Sequence, residues 1–264
     1  MQSVFTRDGI NLTDLNLSDD DIRKINLDDI ISAIIKHTNN SKLYTTLARV
    51  MESCTYRYNE TPTHIRDKVR DVYFDSIWLY KMAIRLNPKY STAYYRLSRH
   101  RHTQAPNYKY YIFSASEGLT SIDLLKCAIS IEPENAIYYI ELYNATPKEK
   151  QKISVNGISF ERKQLFLHAI KLDPKHDKAY YYLSKELSDG QYIQLLDGRK
   201  MSKKDLLIEC VGIRMSHLYL SKLSILMEYS DMIELYDGRR YTYSHICVLI
   251  NECLYGDEYW NIQI

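Results

Sequence analysis

Three segments of this chain align without a gap: AIRLNPKYSTAYYRLS from Ala83, AISIEPENAIYYIELY from Ala128 and AIKLDPKHDKAYYYLS from Ala169. In each, Pro follows the Ala by five residues (Pro88, Pro133, Pro174), Tyr by eleven (Tyr94, Tyr139, Tyr180) and Leu by fourteen (Leu97, Leu142, Leu183). Half of the 6 prolines therefore occupy one repeat position. An internal period of this length decides the architecture before any local propensity does. Upstream, AIIKHTNNSKLYTTLA keeps Ala33, Tyr44 and Leu47 in register, with Thr38 in place of Pro. Downstream, Cys210 takes the Ala position, and Leu220, Leu223 and Ser224 follow with one residue missing. Ile250 is the last such mark, and the steps from 33 to 83, 128, 169, 210 and 250 are 50, 45, 41, 41 and 40 residues.

Each unit reads as two helices. The stretch ending in A-I-x-L carries apolar residues at i, i+3 and i+4, as in Leu165, Phe166, Ala169 and Ile170, which makes one buried stripe. Asn-Pro, Glu-Pro or Asp-Pro then ends that helix, because Pro offers no amide proton and disfavours the α region in the residue before it. The second stretch repeats the apolar spacing with Ala179, Tyr180, Leu183, Ser184 and Leu187. A small residue near its centre (Ala48, Ser98, Ser184, Ser224) lets two helix axes approach, and Tyr143 departs from this in one unit. Composition agrees: Gly is 8 and Pro 6 in 264 residues, against roughly 18 and 13 at average usage, so helix breakers are scarce. Tyr is the outlier, at 25 against 5 Phe.

Residues 27–254 resemble the tetratricopeptide repeat family, whose units place an aromatic, a Leu and a small residue in the first helix and Ala and a terminal Pro in the second. Tyr180, Leu183, Ser184, Ala169 and Pro174 fit those marks, as do Tyr94, Leu97, Ser98, Ala83 and Pro88. The resemblance implies a mainly α fold: a right-handed α-solenoid of about five helix pairs, with units around 27–74, 75–119, 120–160, 161–201 and 202–254. An N-terminal segment 1–26 and a C-terminal tail 255–264 flank it. The departure is length, since the family's unit is about 34 residues and the surplus here lies between the first and second helix of each unit.

That surplus has its own pattern. Segments 153–160, 193–201 and 233–241 each set Asn-Gly or Asp-Gly between apolar stretches, and Gly157, Gly198 and Gly238 are spaced 41 and 40 apart. Asn-Gly and Asp-Gly favour a two-residue type I′ hairpin, which needs positive φ at both central residues. Segment 4–12 looks like the same element, and 110–119 like a degenerate copy. Pairing Val155 with Ile158 and Ile153 with Phe160 gives the cleanest hairpin one apolar face, which has to rest on a neighbour. Ser202 and Asp205 have the capping spacing at the start of the next helix. Two strands span about the distance between packed helices, so successive hairpins could line up and pair into a continuous sheet along one edge; the alternative, set by the twist between repeats, is that they splay apart and each rests only on its own helices. Residues 13–26 and 54–74 fall outside the scheme and receive no role.

No nucleotide, metalloprotease or hydrolase motif is present, and an enzyme is not expected. His100 and His102 are two apart, which on a helix turns them away from each other. The five cysteines show no CxxC spacing and read as packed thiols in a reducing, cytoplasmic compartment. Asp197 and Asp237, each two residues before an Arg, are explained by the turn they occupy. No apolar run approaches a membrane span, and neither cofactor nor metal is expected. The net charge is +2, too weak a global field to name a partner. Locally, however, residues 81–128 hold eight basic side chains against Glu117 and Asp123, while residues 1–30 hold seven acids against three bases.

By the same resemblance, ligands lie on the wall made by successive first helices. The positions there are Tyr95, Arg99 and His102 in one unit, Ile140 and Asn144 in the next, and Lys178, Tyr181 and Lys185 in a third. Arg96 joins them from the basic segment. Aromatic platforms beside cations suit peptide backbones and carboxylates. The Lys/Asn set of the family's clamp for chaperone C-terminal carboxylates is not assembled. The expected function is a non-enzymatic scaffold for a protein or peptide partner. The alternatives are a helical-repeat RNA-binding protein using segment 81–128, and a structural component of a larger assembly that self-associates through its ends.

Overall fold

The computed structural model describes residues 4–6, 9–14, 17–54, 76–100, 108–114, 116–235 and 238–255. Among them are twelve helices and four short strand pairs. The chain forms two compact units, Met1–Pro133 with Ala145–Pro147, and Glu134–Asn144 with Lys148–Ile264.

The first unit holds α1 (Asp19–Lys24), α2 (Leu27–Lys36), α3 (Ser41–Cys54), α4 (Ser76–Leu86), α5 (Ser91–Ser98), the strand pair β1 (Tyr110–Tyr111) and β2 (Gly118–Leu119), and α6 (Ser121–Ile131). Helices follow their neighbours in order, α2 on α3, α3 on α4, α4 on α5 and α5 on α6. The N-terminal segment is tied to α3, where the Thr46 hydroxyl donates to the Leu12 carbonyl at 2.8 Å and Arg49 to the Leu17 carbonyl at 2.7 Å. These bonds and the complete burial of Leu12 give that segment a structural reason to be there.

The second unit holds α7 (Ala136–Ala145, up to Asn144), β3 (Lys152–Val155), β4 (Ile158–Glu161), α8 (Arg162–Leu172), α9 (Asp177–Lys185), β5 (Tyr192–Gln194), β6 (Lys200–Ser202), α10 (Lys203–Ile213), α11 (His217–Ser224), β7 (Met232–Glu234), β8 (Arg240–Thr242) and α12 (Tyr243–Tyr255). Here α8 packs on α9, α9 on α10, α10 on α11 and α11 on α12.

The repeat marks behave as their chemistry requires. Helices α4, α6 and α8 each end two residues before Pro88, Pro133 and Pro174, and Ala83, Ala128, Ala169 and Cys210 are wholly buried. The repeat Tyr closes the turn that Pro opens: the Tyr180 hydroxyl donates to the Pro174 carbonyl at 3.2 Å, and Tyr44 to the equivalent Thr38 carbonyl at 3.0 Å. Ser184 is buried and its hydroxyl donates to the Tyr181 carbonyl, so no polar atom is stranded at the close helix contact. The capping pair is present at Ser202 and Asp205 and recurs at Thr120 and Asp123, each side chain accepting the other residue's amide proton.

The hairpins are present, with two corrections. First, among the described residues only the Asn156-Gly157 turn has positive φ at both central residues (50° and 79°). At Asp197-Gly198 the Leu195 amide donates to the Arg199 carbonyl and the Gly198 amide to the Leu195 carbonyl. That is a three-residue loop with left-handed Gly198 (φ 92°) rather than a type I′ turn. The same two bonds recur from Leu235 and Gly238, and from Thr6 and Gly9 at the N-terminus; Asp237 lies outside the described residues. Second, the hairpins do not join into one sheet. Each strand pair is a separate two-stranded sheet, with β4, β6 and β8 resting on the helices that follow them, α8, α10 and α12. The register Ile153↔Phe160 and Val155↔Ile158 is as expected, but the apolar face is only half covered: Ile153 and Val155 are buried and Ile158 is 60% exposed. The contact is made by Ile153 and Val155 of β3 and by Phe160 of β4, whose ring lies 6.1 Å from Tyr139 and 5.6 Å from His168, and Ile158 at the tip stays outside it.

Candidate functional site

The sequence-derived positions fall into two clusters, one in each unit. In the first unit, Tyr95 and Arg96 lie on α5 and Arg99 caps its end. Both guanidiniums lie over the Tyr95 ring, at 5.8 Å for Arg96 and 5.6 Å for Arg99, and Arg99 also donates to the Tyr95 hydroxyl at 2.9 Å. His102 lies outside the described residues. Facing this cluster is a carboxylate that sequence reasoning missed, Glu52 of α3. It accepts from the Tyr80 hydroxyl at 2.9 Å, and His100 sits at 4.0 Å while holding the Ser76 hydroxyl at 2.6 Å. Burial lifts the Glu52 carboxyl above its ordinary range, opposed by the Tyr80 hydrogen bond and by the charges of Arg96, Arg49 and Arg99. Among the described residues, three guanidiniums thus act on this carboxylate. The Arg96 Nε is buried with no hydrogen-bond partner among the described residues. The available sequence signal was the pair Arg49 and Glu52, three apart on the apolar helix α3.

In the second unit an aromatic row crosses α7, α8, α9 and α11. The Tyr143 ring is 4.1 Å from Phe166, Phe166 stacks on Tyr182 at 5.8 Å, and Tyr181 lies between Tyr182 (5.6 Å) and Tyr219 (5.2 Å). Cations cover it: Arg162 at 4.1 Å over Tyr143 and Lys185 at 4.2 Å over Tyr181. Tyr143 also donates to Glu186. Lys178, Lys185 and Asn144 are exposed. Ile140, at 2% exposure, is buried in the core and is withdrawn as a contact residue. Tyr181, at 8%, presents little beyond the edge that Lys185 covers. These two were misplaced because first helices here bury residues on two sides, against both neighbouring helices.

Elsewhere the polar chemistry holds the fold together. Arg199 donates to Asp197 at 2.8 Å, to the Tyr180 hydroxyl at 3.2 Å and to Glu209. Arg214 and the Tyr219 hydroxyl converge on Asp177. Cys210 is buried, which pushes its thiol well above the ordinary range and keeps it protonated; Cys253, by contrast, is exposed. A shallow groove is lined by Arg239, Arg240, Tyr241, His245, Val248 and Leu249. Among the described residues no three His, Cys, Asp or Glu side chains gather as a metal site, and no helix is long and apolar enough to cross a membrane.

No family model and no curated protein matches the chain. Among solved structures it is similar to one titled "MamA RS-1 ArsTM double mutant", at 12% identity and a TM-score of 0.39, over 63% of this chain and 74% of that one.

Proposed function

We propose that the chain is a non-enzymatic, tetratricopeptide-like interaction module, a right-handed solenoid of helix pairs that binds a protein or peptide partner carrying acidic side chains. The observation behind this reading is the cluster on α5, where Arg96 and Arg99 both lie over the Tyr95 ring. Guanidiniums held over an aromatic ring are oriented before a ligand arrives, which favours charge-assisted hydrogen bonds to carboxylates. The exposed Lys178 and Lys185 offer a second cationic contact. A reducing, cytoplasmic setting fits the free thiols of Cys127, Cys210, Cys247 and Cys253.

The RNA reading is less well supported. One residue per repeat would have to read a base from Tyr95, Ile140 and Tyr181, and the last two are buried.

The test is capture from native extract at two salt concentrations, with the double variant Arg96→Glu/Arg99→Glu beside the wild type. Recovery of one protein at both salts, reduced roughly tenfold or more in the variant at unchanged circular dichroism, supports the proposal. Unchanged recovery by the variant makes the cluster a solvated face. Capture of RNA that disappears steeply with salt favours the nucleic-acid reading instead.

A further inference from the structure

The four strand pairs share a register relative to the helices they precede. Three residues before α6, α8, α10 and α12 stand Gly118, Ser159, Lys200 and Arg240, and the residues paired with them are Tyr111, Ser154, Gln194 and Glu234. In the second unit this exposed cross-strand pair is polar each time, and Arg240 lies 3.6 Å from Glu234. Polar pairs are the ordinary composition of a strand face turned to water. In the first unit the pair is a tyrosine opposite a glycine.

The glycine seats the tyrosine. A side-chain carbon built at Gly118 would come within 2.9 Å of the Tyr111 Cε1 and 2.6 Å of the Lys109 Cβ. The ring therefore lies across the bare backbone of the neighbouring strand, with Lys109 beside it, an arrangement that covers a strand glycine and fixes the ring. Tyr111 is nonetheless 44% exposed. Exposure alternates along the segment: Lys109, Tyr111 and Phe113 are exposed, while Tyr110 and Ile112 are buried. Arg85 of α4 ties the segment down by donating to the Ile112 carbonyl at 2.6 Å. Phe113 is 61% exposed, and Tyr108, its ring 5.0 Å from that of Tyr110, is 42% exposed. Three exposed rings within residues 108–113 are more than the single apolar side chains that any surface scatters.

We propose that the exposed face of the β1–β2 hairpin docks an aromatic or proline side chain of the acidic peptide partner, stacked on Tyr111 beside a carboxylate held by Lys109. This rests on the partner reading above and adds to it a contact separate from the α5 cluster. Charge favours a peptide over a nucleic-acid strand. Residues 81–128 are basic, with eight cations against Glu117 and Asp123, so an acidic ligand is drawn to the segment. Residues 108–113, however, set one cation, Lys109, among the three exposed rings, and Glu117 adjoins Gly118. One carboxylate next to an apolar anchor matches that ratio, whereas successive phosphates call for a run of cations.

The probe is a display library of random peptides selected on the full chain. Peptides that survive should share Trp, Tyr, Phe or Pro next to Asp or Glu. The strongest of them, synthesised with a fluorescent label, should bind Tyr111→Ser/Phe113→Ser roughly tenfold or more weakly than wild type in anisotropy titrations, at unchanged circular dichroism. Phe113→Ser alone, at the most exposed ring, should weaken binding severalfold and serves in place of the double variant should that unfold. Equal affinity for the wild type and these variants overturns the proposal. If the same peptide loses affinity for Arg96→Glu/Arg99→Glu, the partner reading stands and the hairpin alone is excluded. Selected peptides without acidic residues overturn the partner reading and, with it, the role given to Lys109. A labelled oligouridylate that binds the wild type and not the hairpin variant assigns the face to single-stranded nucleic acid and likewise overturns the proposal. A selection that enriches nothing overturns it as well.

Discussion

Arg199 follows the turn glycine of the second hairpin, and its guanidinium spans Asp197 in the turn, Tyr180 on α9 and Glu209 on α10. The Glu209 side chain is only 11% exposed, so removing its partner leaves a carboxylate short of hydrogen bonds in a place that water reaches poorly. Arg199→Ala is therefore expected to cost about 1–3 kcal/mol in urea unfolding, with Arg199→Lys recovering only part because a point charge cannot reach three partners. Glu52 offers the opposite sign. Its folded-state carboxyl is raised by burial, so the neutral form stabilises the fold fully below the ordinary value of about 4.3. That contribution is lost as pH rises through the raised folded value. Glu52→Gln keeps an acceptor for the Tyr80 hydroxyl, and its thermal midpoint relative to wild type should climb between about pH 4 and pH 7. A constant difference would show that Glu52 titrates alike in both states.

Among the elements, the helices were readable and the fine form of the hairpins was not. Pro88, Pro133 and Pro174 end helices by a local covalent property that needs no tertiary information. The Ala marks are buried, as is Cys210 at the same position, because small side chains let two helices meet closely. Asp-Gly is different: it serves a two-residue turn and a three-residue loop equally well, and the strand register selects between them. Nor does sequence spacing tell which strand of a hairpin meets the helix, or that Glu52 lies under Arg96 and Arg99 from another helix. Those are long-range contacts without a periodic signal. The hairpin geometry makes a sharp expectation. Ile153→Ala, at a fully buried position of β3, should cost about 2–4 kcal/mol, whereas Ile158→Ala, on the facing strand opposite Val155 and mostly exposed, should stay within about 0.5 kcal/mol. Equal costs in denaturant melts would mean that Ile158 packs as tightly as Ile153.

At the scale of the molecule, each compact unit owns a core assembled from neighbours in sequence, α3 on α4 on α5 in one and α8 through α12 in the other. Contacts of such short range make damage local in repeat architectures. Leu183→Ala, at a wholly buried position on α9, should speed amide exchange across α8, α9 and α10 and leave protection in α3 to α5 unchanged. Uniform loss of protection over both units would instead make the chain one cooperative block.

The separateness of the hairpins has a practical side. Their tips are free of crowding: a side-chain atom added at Gly157, Gly198 or Gly238 would meet no neighbour within 4 Å. No tip is stitched to the next by strand pairing, so each is a place where the polypeptide can be opened and foreign sequence spliced in. An epitope, a fluorophore tag or a new pair of chain ends set there would ride at the end of a two-stranded stalk, with the helices beneath it left as they are.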